Sequence, residues 1–261
     1  MKILVCVKEV PDLGPDTEIQ IDESTGWIKE EDSSRYMLNR FDEFAVEEAM
    51  RIKEILPNAT VDALTVGQER SQTVVRRAMG MGADHGIHIL DESKGYLDPF
   101  YIADLVCKVA VQKEYDLILT GVMAEDTQQG QTGPMIAELL KIPMSTSVVQ
   151  TRICTDKQSI QIEKEVEGGK REVWKINLPC LLTIQSGINQ PRYPALSKVL
   201  RAKKAELERY CAQDLSSIST NQSVKKIRFP NKQRTGRFLE GSPQDKAREL
   251  VDLLTEKSLF K

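Results

Sequence analysis

Gly121-Val122-Met123-Ala124-Glu125-Asp126-Thr127-Gln128-Gln129-Gly130-Gln131-Thr132-Gly133-Pro134 is a glycine-spaced polar loop between two apolar segments, and its reading decides the fold. Before it, residues 115–120 (Tyr-Asp-Leu-Ile-Leu-Thr) are short, apolar and branched, as a parallel strand buried on both faces must be. After it, Gly133-Pro134 opens a helix. Proline in the first turn gives up only a donor that would be unpaired there, and Met135, Ile136, Leu139 and Leu140 recur at helical spacing. Strand, polar loop and helix in that order turn unpaired backbone N–H groups toward the space above the helix. The Thr132 hydroxyl and the amides of Gln128, Gln129 and Gln131 join them, and an anion is the natural occupant. The loop lacks the Gly-Lys-Ser/Thr of a Walker loop and the third glycine of the dinucleotide fingerprint, so the bare pattern also fits a polar βα loop with a helix cap.

Working outward, the same alternation recurs. A first strand at 3–7 leads through Lys8-Glu9-Val10-Pro11-Asp12 and a small ribbon near 18–21 and 27–28 into a helix at 42–56. Phe44, Ala45, Ala49, Ile52 and Leu56 trace one face of that helix and Pro57 stops it. A strand at 60–66 precedes a helix at 71–79 closed by Gly80-Met81-Gly82; a strand at 88–90 precedes a helix at 99–112 with Ile102, Leu105, Val106 and Val109 inward. Four strand-then-helix units before residue 143 predict an α/β fold with an open, doubly wound, mostly parallel Rossmann-like sheet. Ligands of such sheets bind beyond the carboxyl ends of the strands.

Past residue 143 the pattern changes. Residues 145–153 read as a strand, and the alternating segments 160–166 and 172–176, joined across Glu167-Gly168-Gly169-Lys170, read as a hairpin. Such a hairpin is marginal alone, so it should pack on the body or on a partner. Residues 179–184 return as a buried strand. From 212 to 240 the chain is polar and aperiodic, with too little apolar surface to fold alone. A helix follows, with Ser242 as N-cap, Pro243 at its first position, and Ala247, Leu250, Val251 and Leu254 on one face. An arm ending in an amphipathic helix suits a segment laid on another subunit; an arm folded back on its own domain is the alternative.

The composition, 261 residues with 40% apolar and 29% charged, is that of a soluble globular chain. Its apolar runs are strand-sized, and residues 1–7 read as a first strand, not as a signal or transit segment, so a cytoplasmic protein without membrane insertion is expected. Five scattered cysteines, with Cys6, Cys107 and Cys180 inside apolar runs, look like core residues in a reducing compartment. With no CxxC pair and only His85 and His88, both leading into a strand, neither a metal site nor a histidine general base is indicated. Between 198 and 237 eleven Lys/Arg face three acidic residues, a local balance of +8, which leaves −11 on the remainder. This suggests a charged docking surface. No nucleic-acid motif or aromatic platform accompanies it, and a solvated helix face is the simpler alternative.

Several segments carry a longer likeness: Val5 through Asp12, Asn39-Arg40-Phe41-Asp42-Glu43-Phe44-Ala45-Val46-Glu47-Glu48, Ala78 through Asp84, the opening loop, Glu165-Val166-Glu167-Gly168-Gly169, Leu178 through Thr183, Asn189-Gln190-Pro191-Arg192-Tyr193-Pro194-Ala195-Leu196, and Arg201-Ala202-Lys203-Lys204. In this order they make the chain, to about residue 205, resemble the β subunit of electron transfer flavoproteins. The resemblance implies a heterodimer with an α subunit that carries electrons from flavin dehydrogenases, such as acyl-CoA dehydrogenases, to a quinone oxidoreductase or other acceptor, with no bond change of its own. It implies a redox FAD held mostly by the α subunit, and AMP in the β subunit or, in electron-bifurcating members, a second FAD there. The implied division is a nucleotide-binding domain over 1–204, including hairpin 159–177 and partner-recognition loop 189–198, followed by an arm and terminal helix over 205–261 that pack on the α subunit.

Carried over by position, the nucleotide meets Cys6, Asn39, Arg40, Phe41, Asp42, Val66 and the loop from Gly121 through Thr132. Asp126 would accept from a ribose hydroxyl, and Gln131 and Thr132 would help hold the phosphate. The plain alternatives are helix capping for Asn39 and a solvated charge for Arg40. Glu165 matches a glutamate near the flavin, or is one exposed residue of the hairpin. Arg192, Tyr193 and Leu196 match the partner-binding loop, with Leu196 as apolar anchor; without the likeness it reads as a core leucine at a helix start. The loop departs from the family at Gln128, where an aspartate is expected. Bifurcating members often read Asp-Gly-Asp-Thr-Ala-Gln-Val-Gly-Pro there, and the 39–43 segment is nearer the AMP type, so AMP is the expected ligand. Two readings of other classes compete. One is an ATP-using enzyme of the related adenine-nucleotide fold, against which the missing SGG-type loop, loop lysine and Mg²⁺ carboxylate pair speak; the other is a nucleotide sensor.

Overall fold

The computed structural model describes residues 1–14, 19–29, 34–215, 218, 222–229, 236–257 and 259. The first strand, β1 (Lys2–Cys6), buries Ile3, Leu4 and Val5 completely, as a strand covered on both faces must. After it, β2 (Glu9–Pro11), β3 (Ile21–Asp22), β4 (Trp27–Ile28) and β5 (Tyr36–Leu38) make two small antiparallel ribbons, β2 with β5 and β3 with β4. The alternation then runs α1 (Arg40–Ile55), β6 (Thr60–Gly67), α2 (Gln72–Met81), β7 (His85–Leu90), α3 (Pro99–Lys113), β8 (Leu117–Gly121) and α4 (Thr132–Leu140). Beyond it come β9 (Met144–Ile153), β10 (Ser159–Val166), β11 (Lys170–Asn177), β12 (Cys180–Ile184), α5 (Leu196–Lys204), β13 (Glu208–Cys211) and the short α6 (Ala212–Leu215).

Helix boundaries follow the local chemistry. Asp42 and Glu43 lie in the first turn of α1 and Lys53 in its last, each sign complementing the helix dipole. The Asp98 carboxylate accepts from Phe100 N at 2.9 Å and Pro99 takes the first position of α3.

Among the described residues nine strands form one sheet in the order β11-β10-β9-β12-β8-β1-β6-β7-β13, and β10 alone runs against its neighbours. Ile3 of β1 stands opposite Val61 of β6 and Leu117 of β8, and the chain order reverses between these strands. Alternate residues of β1 feed two cores: Ile3 and Val5 pack on the α1 and α2 side, Leu4 on the α3 and α4 side. This is the expected doubly wound α/β sheet with its covering helices. Two strands differ from expectation. Strand β7 begins at His85, whose ring nitrogen meets Asp62 Oδ1 at 2.9 Å and extends the ladder. The polar segment β13, which shows no strand period, pairs in parallel with β7.

The chain divides into two compact units, Met1–Ile227 and Arg228–Lys261. The second holds α7 (Pro243–Glu256), started by a capping box in which Ser242 Oγ accepts from Asp245 N and Asp245 Oδ2 accepts from Ser242 N. Among the described residues no helix is long and apolar enough to cross a membrane.

Candidate functional site

Strands β1, β6 and β8 end on one rim, and the loops that follow them enclose a cavity of about 780 Å³. The head of α1 ties this rim together. Asp42, buried in its first turn, accepts from Lys8 N at 2.8 Å and from Gly121 N at 2.9 Å, so one carboxylate joins the ends of β1 and β8. Burial pushes the Asp42 carboxyl up to about 7, opposed by those two backbone donors, which favour its charged form. Asn39 stands at the N-cap position of α1 but makes no side-chain cap there. Its Nδ2 donates to Met123 O at 2.9 Å and its Oδ1 accepts from Glu125 N at 3.1 Å, which pins the loop after β8. The helix-capping alternative for Asn39 is thereby replaced by loop anchoring.

The titration of Asp42 has a readable consequence. A carboxyl whose folded-state pKa is raised from 3.8 to about 7 stabilises the fold fully below pH 4, and that contribution is lost as the pH rises through 7. Urea unfolding measured from pH 4 to 8 is expected to show a decline of at most about 1.4 kcal/mol per pH unit from this group. Asp42→Asn, which cannot titrate, should be less stable overall yet lose that component; an unchanged slope in the variant would assign it elsewhere.

Within the loop, Gln128 and Gly130 take left-handed backbone conformations (φ +53° and +61°) and Gln128 N closes a turn on Ala124 O at 2.8 Å. Gly133, in the first turn of α4, lies so close to the sheet that a Cβ would stand 2.8 Å from Thr183 Cγ2 and 2.9 Å from Thr120 Oγ1. Gln131, the N-cap of α4, makes no side-chain cap bond, so it leaves the first-turn N–H groups to the cavity. These are the elements of an anion seat on a helix N-terminus, backed by glycines where the backbones approach.

Lys8 is the residue the sequence reading missed. Both oxygens of Asp126 accept from Lys8 Nζ, at 2.8 and 2.7 Å, and the Asp126 side chain is only 8% exposed. The carboxylate expected to meet a ribose is thus already neutralised within the protein. Also in the lining, Arg70 pairs with Glu9 at 2.8 Å and its guanidinium lies over the Tyr36 ring at 4.0 Å. Burial pushes the Glu9 carboxyl up against the opposing pull of Arg70. Trp27 and Tyr96 meet with ring centroids 5.6 Å apart, and Tyr96 Oη donates to Gln129 Oε1 at 3.0 Å.

Of the residues predicted from sequence, Cys6, Asn39, Asp42, Val66, Gly121, Val122, Met123, Ala124, Asp126, Thr127, Gln129, Gly130, Gln131 and Thr132 all line this cavity. Arg40, Phe41, Glu125 and Gln128 adjoin it without lining it; Arg40 is exposed, while the Phe41 backbone and Cβ press on Gly121. Burial pushes the Cys6 thiol up, with Asp42 and Cys107 adding to the effect, so it is a neutral wall. Glu165 stands exposed in β10 opposite Arg171, away from the cavity. Arg192 is turned inward onto α1, whereas Tyr193 and Leu196 are 95% and 74% exposed.

Compared with known proteins, residues 26–215 match the family described as electron transfer flavoprotein domain. The chain is 36% identical over 245 residues to the electron transfer flavoprotein subunit beta of Bacillus subtilis (strain 168), covering 92% of this chain and 93% of that one. It is 34% identical to the subunit beta of Bos taurus over 90% of this chain and 91% of that one, and 30% identical to that of Methylophilus methylotrophus over 98% of both.

Proposed function

The chain belongs to the electron transfer flavoprotein family, as a β subunit that carries electrons and is not an enzyme, and we propose that it holds AMP in the cavity at the ends of β1, β6 and β8. One observation carries the ligand assignment: the loop of residues 121–132 and the start of α4 bring glycine-backed N–H groups to a cavity whose loop carboxylate, Asp126, is already paired with Lys8. A phosphate at this loop meets donors, and the loop carboxylate beside them is already neutralised. Asn39 and Asp42 fix the loop, and Gln131 and Thr132 offer polar groups at the phosphate end. Such a seat retains a nucleotide without cleaving it.

In this reading an α subunit completes the heterodimer and holds most of a redox FAD. The bound flavin supplies reversible electron uptake and release, while this chain encloses it and orients its surroundings. Glu165 on the hairpin is the proposed carboxylate beside that flavin. Of the segment 205–261, β13 is held by this chain's own sheet, so the part proposed to lie on the α subunit is the second unit, Arg228–Lys261, with α7. Tyr193 and Leu196 belong to the surface that meets flavin dehydrogenases, acyl-CoA dehydrogenases among them, with Arg192 supporting their loop from behind; a quinone oxidoreductase takes the electrons onward. The work is placed in the cytoplasm.

A second FAD in place of AMP is favoured by one feature: the cavity continues past the phosphate loop toward Trp27, Tyr36, Arg70 and Tyr96, room for more than a mononucleotide. Co-expression with an α subunit, followed by denaturation and nucleotide analysis, separates the two. The expected result is a yellow complex with one FAD and one AMP per heterodimer. Two FAD and no AMP would replace AMP with the second reading, and a colourless complex would overturn the carrier assignment.

A further inference from the structure

Residues 189–195 are built onto the body by an arrangement that an ordinary surface turn does not need. Arg192 donates from its backbone N and its Nε to Glu47 Oε2 at 3.1 and 2.7 Å, from Nη2 to Glu47 Oε1 at 2.8 Å, and from Nη1 to Glu54 Oε1 at 2.7 Å. Glu47 is 5% exposed on α1, so its carboxylate has left water and is held by the guanidinium and the backbone N–H of Arg192. A buried carboxylate is costly unless it is fully paired, and a forked Arg–carboxylate contact with an added backbone bond fixes direction as well as position. Beside it, Asn189 Nδ2 donates to Phe44 O at 3.0 Å and to Glu48 Oε2 at 2.9 Å.

The far side of the segment is equally fixed. Pro194 and Val199 lie against Gly80 of α2, where a Cβ would stand 3.4 Å from Pro194 Cβ and 3.5 Å from Val199 Cγ2. Arg76 Nη1 donates to the carbonyls of Ala202 at 2.6 Å and Ala205 at 2.9 Å, closing the end of α5. Between these supports the chain turns Tyr193, Leu196 and Leu200 to solvent. Rigid support beneath exposed apolar side chains is the arrangement that lowers the ordering cost of association.

We propose that Glu47, with Glu54 as outer partner, is a positioning residue for partner docking: it holds Arg192 so that Tyr193, Leu196 and Leu200 meet a flavin dehydrogenase as a preformed surface. The inference rests on the docking role given to this loop under Proposed function. Arg192 acts in it by fixing the loop from within.

The test uses the complete flavin-loaded heterodimer as electron acceptor for a flavin dehydrogenase, with the acceptor concentration varied. Glu47→Gln should raise KM about three- to tenfold while kcat and FAD content stay within about a factor of two, since only the ordering cost of docking changes. Glu54→Gln, at an exposed position where folding is not at stake, should raise KM about twofold. Unchanged KM in both variants, with a raised KM in Leu196→Ala, would overturn the clamp and keep the docking surface. Unchanged KM in Leu196→Ala would overturn the docking surface and the clamp together. A fall in kcat and FAD content with KM unchanged would make Glu47 purely structural and overturn the proposal.

Discussion

Gly121→Ala is expected to abolish nucleotide retention and to lower the unfolding free energy by about 3–5 kcal/mol, the sum of overpacking and a lost charge-assisted hydrogen bond. A Cβ at this position would run into Asp42 Oδ1 and lie 2.7 Å from Phe41 Cβ and 2.8 Å from the Phe41 carbonyl carbon. None of these neighbours is the far end of a flexible side chain: Phe41 contributes backbone and Cβ of the first turn of α1, and Asp42 is buried and tethered at both oxygens. Relief requires α1 to move off the end of β8. That movement breaks the Gly121 N to Asp42 bond and displaces Asn39, which pins Met123 and Glu125 from the same helix end. Stability and ligand therefore fall together. Denaturant unfolding and nucleotide content of the co-expressed complex check this, and a variant that keeps its full complement of nucleotide would refute the account of the rim.

Leu196→Ala should slow electron transfer from a flavin dehydrogenase about ten- to thirtyfold at subsaturating concentration, the effect of truncating an anchor worth about 1.4–2 kcal/mol. FAD content and unfolding midpoint should not move. The reason lies in the exposure of this side chain: Leu196 opens α5 as a helix-start leucine was expected to, yet 74% of it faces solvent, so its removal leaves no cavity. Truncating a core leucine such as Leu119 would show the opposite pattern, with stability lost first. Equal transfer rates for the variant and the parent would remove Leu196 from the docking surface.

Much of the fold was legible because local burial writes a local period. Strands β1, β6 and β8 are apolar runs since both faces are covered, and the starts of α3 and α7 are marked by Asp98-Pro99 and Ser242-Pro243. The β2–β5 ribbon and β13 were not legible. Glu9–Pro11 finds its partner at Tyr36–Leu38, well beyond hairpin range, and Glu-Arg-Tyr-Cys at 208–211 is a polar edge whose pairing depends on β7 being available. The cavity lining shows the same limit. Glycines and glutamines of the loop announce an anion seat, but the Lys8 partner of Asp126 lies 118 residues away, and Arg192 finds Glu47 across 145. A charge in an exposed-looking segment carries no local mark of the carboxylate it will meet. Asn39 adds a further case: its position fits a helix cap, and the loop after β8 claims its side chain instead.

The place of β12 in the sheet has a consequence for synthesis. This strand is made after the hairpin but inserts between β8 and β9, and its Thr183 sits against Gly133 at the start of α4. While a nascent chain is shorter than this, β8 has an open edge and the start of α4 has only part of its floor. The proposed nucleotide seat is therefore completed late, by a residue translated about fifty positions after the glycine it covers, and a chain able to hold a ligand there has already paired the middle of its sheet.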